Sequence, residues 1–65
     1  MKARIWLEDD QGRRVDVEVG GVLSQGVVSA LAADIFASTS STREVTEALL
    51  QGMVGAGDIQ SFIVY

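Results

Sequence analysis

ARIWLEDDQGRRVDVEV, residues 3 to 19, decides the fold of this chain. ARIWLED (3–9) and RRVDVEV (13–19) both alternate apolar and polar side chains, the period of a half-buried strand, and DDQG (9–12) between them is turn chemistry. If Asp10, Gln11 and Gly12 form a three-residue loop with Gly12 left-handed in a bulge, Asp9 faces Arg13. Leu7 then meets Val15, Ile5 meets Val17 and Ala3 meets Val19 on one face. On the other face Glu8 meets Arg14, Trp6 meets Asp16 and Arg4 meets Glu18. Apolar opposes apolar and opposite charges oppose each other. A two-residue loop would set Leu7 against Asp16 and mix the faces. Gly20 and Gly21 end the second strand.

After those glycines the period changes. Ser24 suits an N-cap, and Leu23 with Val28 occupies the positions of a hydrophobic staple, so a helix begins at Gln25. Val28, Leu31, Ala32, Ile35 and Phe36 recur at helical spacing as an apolar stripe, with Ser29, Ala33 and Asp34 elsewhere. STSST (38–42) interrupts it. The six hydroxyl residues between Ser38 and Thr46 suggest a phosphorylation patch, but Ser41 with Glu44 matches the capping box of a second helix, which is the reading adopted. Val45, Ala48, Leu49 and Met53 form its stripe, Arg43 and Glu47 stand an i,i+4 pair apart, and the helix runs to about Val54.

GMVGAGD (52–58) holds three glycines and invites a phosphate-loop reading. In a dinucleotide fingerprint or a P-loop the glycines follow a strand and open a helix, whose free amides point at the phosphate. Here they follow a helix, no lysine adjoins them, and the spacing is GxxGxG. Gly55 therefore reads as the left-handed helix cap, while Gly57 and Asp58 turn the chain into IQSFIVY (59–65), a β-rich terminal run. No nucleotide cofactor is expected.

Sixty-five residues make one domain, residues 1–65, with a small core. Cys and His are both absent, which removes disulfides and the soft and imidazole metal ligands. Catalysis is not expected: Ser24, Ser29, Ser38, Ser40, Ser41 and Ser61 have no His to activate them, and Lys2 is terminal. EDDQG (8–12) fails the spacing of a calcium loop, because counting back from its glycine puts Leu7 at the first ligand position. The start at Met1 shows no basic and apolar leader pattern, and the longest apolar stretch is broken by Ser29 and Asp34, so a cytoplasmic protein without a membrane segment is expected.

The net charge is -4. Residues 1 to 20 hold Lys2, Arg4, Arg13 and Arg14 against five acids, whereas residues 21 to 65 hold only Arg43 against Asp34, Glu44, Glu47 and Asp58. The acidity sits on the second part. Without a clustered basic face, direct nucleic-acid binding is not expected. Trp6 falls on the hairpin face opposite the aliphatic row. Ile59, Phe62, Ile63, Val64 and Tyr65 put bulky groups on both faces of the last strand, so part of that set joins Trp6 outside.

The expected architecture is α+β in the order ββααβ, a three-stranded sheet with two helices packed on one face. The last strand should run parallel to the first and antiparallel to the second, so it can flank either; placement beside the first is favoured, because Trp6 matches the apolar ending. Core residues are Ile5, Leu7, Val15, Val17, Val28, Leu31, Ile35, Val45, Leu49 and Phe62 or Ile63. The expected function is a non-catalytic protein-binding module, with Trp6, Asp34, Glu44, Glu47 and Asp58 as partner-binding residues and no catalytic, cofactor or metal site. The alternative is a structural element forming a homodimer through the open sheet face around Trp6. A compact acidic chain lacking catalytic groups resembles the small phage-encoded inhibitors, anti-CRISPR proteins among them, in size and charge over its whole length. No motif carries that resemblance. It implies a protein partner, a nucleic-acid-binding complex with a basic surface, blocked by an acidic one.

Overall fold

The computed structural model describes residues 2–39 and 41–65. Its elements follow the expected order: β1 (Lys2–Glu8), β2 (Arg14–Gly20), α1 (Gln25–Ala37), α2 (Thr42–Ala56) and β3 (Ser61–Val64). The hairpin has the register that the loop argument predicts, from Glu8 opposite Arg14 to Ala3 opposite Val19. Gly12 sits at φ 83°, the left-handed region that a side chain disfavours and a bulge requires. The Asp9 amide donates to the Arg13 carbonyl at 3.0 Å and closes the loop.

Strand order departs from the expectation. The sheet runs β1-β2-β3, and β3 pairs antiparallel with β2, Val64 opposite Val17 and Phe62 opposite Val19. The reason lies in burial. Val15, Val17 and Val19 of β2 are all buried, and a fully covered row needs a strand on either side. β1 behaves as an edge, with Ala3 exposed and Ile5 half-buried on its inner face.

Leu7, Val15, Val17 and Val19 from the sheet meet Leu31 and Ile35 of α1, Leu50 of α2, and Ile59 and Val64 in one core. Each such side chain contributes about 1.5–3 kcal/mol by leaving water. Ser24 caps α1 as expected, its hydroxyl accepting the Val27 amide at 3.2 Å. Ser41 occupies the cap of α2, but its side chain makes no capping bond, so the expected capping box does not close. Ser41 lies at φ -54°, ψ 128°, away from the extended geometry of Ser24 at φ -74°, ψ 158°.

The face of α2 is also turned from the expected one. Thr46 and Leu50 are fully buried, Val45, Leu49 and Met53 flank them half-buried, and Ala48 is exposed. A hydroxyl at the centre of the core is tolerable because Thr46 Oγ1 donates to the Thr42 carbonyl at 2.7 Å within the helix. Phe62 points inward and Ile63 outward.

Candidate functional site

The glycine run first. Gly55 lies inside α2, and the left-handed residue is Gly57, at φ 85°. The helix thus continues to Ala56, past the expected end. The Gly57 amide donates to Val54 at 3.1 Å and the Asp58 amide to Met53 at 2.9 Å, the paired bonds of a Schellman cap. These bonds fix where Asp58 stands. By folding Asp58 back over the last turn, the cap brings this residue to the rim of the groove between the helices.

That open groove, about 220 Å³, is lined by Val27, Ala30, Leu31, Leu49 and Met53 together with Asp34 and Asp58. It continues past Val22, Leu23 and Ser24, still against Met53 and Asp58, to the beginning of α1. Asp58 therefore stands by the start of α1 and Asp34 in its last turn. Val27 to Asp34 spans roughly 10 Å of helix rise. Val22 and Val27 are exposed apolar residues of this surface. Among the described residues, neither carboxylate makes a side-chain hydrogen bond or ion pair.

The other expected site residues lie apart. Glu44 is exposed in the first turn of α2, and Glu47 pairs with Arg43 at 3.2 Å. Trp6 is on the far side of the sheet, 61% exposed, with Ile63 (47%) and Tyr65 (51%) on the same face. This face is less apolar than expected. The Arg14 guanidinium stacks 5.0 Å from the Trp6 ring centre and pairs with Asp16 at 3.1 Å, while that of Arg4 lies 4.3 Å over Tyr65. Arg4 and Arg14 thus prefer aromatic faces, and a carboxylate on the same strand, to the acids directly opposite, Glu18 and Glu8.

A third cluster serves the fold. Asp9 Oδ1 accepts the amides of Gln11 (3.1 Å) and Arg13 (2.8 Å), and Oδ2 accepts Arg13 Nε at 2.7 Å. Arg13 also donates to the Phe36 carbonyl at 2.9 Å, tying the hairpin tip to the end of α1. Burial alone would raise the Asp9 pKa; the bonds from Arg13 and Gln11 and the Arg13 charge outweigh it and hold the carboxyl below its usual range. Among the described residues, no group of three acidic side chains gathers to hold a metal, and no helix is long and apolar enough to cross a membrane. No family model, curated protein or solved structure matches the chain.

Val27, Leu49 and Met53 were not among the site residues expected from sequence. Val27 carried a signal: an apolar residue off the α1 stripe, with Val22 before the helix, marks a second apolar surface.

Proposed function

We propose that this chain is a non-catalytic protein-binding module whose α1–α2 groove takes a basic, apolar-faced helical segment of a partner. The observation that carries the reading is the placement of Asp34 and Asp58, two acids unpaired among the described residues, on an open apolar groove with Val27, Leu49 and Met53. An amphipathic helix fits such a groove through side chains three and four residues apart. Cations two turns apart, about 10 Å, reach both acids. Charge supplies steering and selectivity, and the apolar floor supplies contact area.

Asp34 supports the reading by being poorly placed for stability. It occupies the last turn of α1, where the helix dipole disfavours a negative charge, and among the described residues no cation pairs with it. Proteins that hold nucleic acid present lysines and arginines to phosphates. A nucleic-acid-binding complex is thus the partner class this groove complements, and occupying its basic surface is how an inhibitor of the anti-CRISPR type would act.

The test compares wild type with Asp34→Lys/Asp58→Lys as baits at low and high salt, followed by rebinding of the purified captured protein. A partner retained by wild type at low salt, and lost both in the double variant and at high salt, is expected. Capture that neither change affects would refute the groove.

A further inference from the structure

β1 is an open edge, and its backbone is poised to pair. Asp9 bonds to Arg13 across the hairpin, and bonded pairs recur at every second residue of an antiparallel ladder, so Leu7, Ile5 and Ala3 turn their amides and carbonyls to β2. On the other side of β2, Asp16 and Gly20 accept from Tyr65 and Gln60. Lys2, Arg4, Trp6 and Glu8 consequently turn their backbone groups away from β2, to the uncovered edge.

The side chains of that edge are complementary to themselves. KARIWLE, residues 2 to 8, read against its own reverse about Ile5 sets Lys2 against Glu8, Ala3 against Leu7, Arg4 against Trp6 and Ile5 against Ile5. Charges on an edge strand ordinarily repel other strands. Here each charged end meets its opposite, and Arg4 meets an aromatic ring. The even residues, whose backbone groups face outward, pair with one another in this register, as a ladder requires. Two neighbouring in-phase registers fit less well: centring on Arg4 sets Arg4 against itself, and centring on Trp6 pairs Arg4 to Glu8 and Ile5 to Leu7 but sets Trp6 against itself and leaves Lys2 and Ala3 opposite residues beyond the strand.

We infer that a second copy of this chain pairs antiparallel with β1 about Ile5, joining two three-stranded sheets into one of six strands. Lys2 of each copy meets Glu8 of the other, Trp6 covers the Arg4 stem across the dyad, and the half-buried Ile5 side chains close on each other. The surface used is the edge, not the flat face bearing Ile63 and Tyr65. It is independent of the groove, which lies among the helices and stays open in either state.

Charge reversal with complementation tests the register. Lys2→Glu and Glu8→Lys each replace two attractive contacts per dimer with two repulsive ones and should weaken self-association about tenfold in sedimentation. Mixing the two variants restores opposite charges at both contacts, and a heterodimer near wild-type strength is expected; circular dichroism verifies that each variant is folded. The chain has no cysteine, so Ile5→Cys reports the dyad directly. A central pair whose Cα atoms lie about 4.5 Å apart should crosslink on mild oxidation. A wild type that stays monomeric, a mixture that does not recover, or crosslinking by Ile63→Cys in place of Ile5→Cys would overturn the inference.

Discussion

The Asp9 carboxylate grips Arg13 twice, accepting its backbone amide at 2.8 Å on one oxygen and its Nε at 2.7 Å on the other. Arg13 passes the connection on to the Phe36 carbonyl. One carboxylate therefore holds both the turn register and the contact between hairpin tip and helix. Its side chain keeps only 11% of its surface exposed.

This clamp has a pH signature. The Asp9 pKa is lower in the folded chain than in the unfolded one, so its stabilisation is present in full above the ordinary aspartate range and is lost as pH falls through the folded value. Below about pH 4 the stability of wild type should drop toward that of Asp9→Asn. Thermal unfolding of both proteins between pH 7 and pH 2, as approximate limits, measures it; parallel curves would show that Asp9 carries no such linkage.

Gly55 and Gly57 should respond to alanine with opposite signs. Gly55 is helical, and a Cβ there meets nothing within 4 Å, so Gly55→Ala should stabilise by roughly 0.5–1 kcal/mol. Gly57 at φ 85° would be strained by a side chain, and Gly57→Ala should cost about 1 kcal/mol. Because Gly57 also places Asp58, its variant should weaken groove binding while Gly55→Ala leaves it unchanged. Denaturant titrations give the signs.

The rotation of α2 is checked by truncating neighbours. Leu50→Ala empties a fully buried site and should cost roughly 2–5 kcal/mol, Leu49→Ala clearly less. Equal losses would return the helix to the orientation expected from sequence.

Asp34 separates stability from binding. Asp34→Lys puts a cation in the last turn of α1 and should raise stability by about 0.3–1 kcal/mol at low salt. The same variant should bind a basic partner more weakly. A loss of stability on substitution would show that Asp34 serves the fold.

What was legible in the sequence was local. Hairpin register followed from a turn and two alternating strands, with every pair within eighteen residues, and the Ser24 cap and α1 stripe are likewise read within four residues of themselves. The position of β3 was not legible, because antiparallel pairing with β2 and parallel pairing with β1 both satisfy the alternation of IQSFIVY; only the full burial of Val17 and Val19 decides. α2 misled because Thr46 looks polar until its hydroxyl is given to the Thr42 carbonyl. Ser40, part of the hydroxyl-rich segment, lies outside the described residues, and Thr46 at the segment's end is buried and closed to modification. The five expected partner residues were chosen for charge and size, yet only Asp34 and Asp58 line one groove, through a cap two residues beyond where it was sought.

The most direct test is an amide-shift titration of the labelled protein with a synthetic amphipathic helix carrying lysines two turns apart and leucines between them. The account expects shifts at Ala30, Asp34, Met53 and Asp58, affinity that falls as salt shortens screening below about 8 Å, and loss of binding in Asp34→Lys/Asp58→Lys but not in Trp6→Ala. Shifts confined to Trp6, Ile63 and Tyr65, salt-insensitive binding that survives in the double variant, or no shifts at all would contradict it.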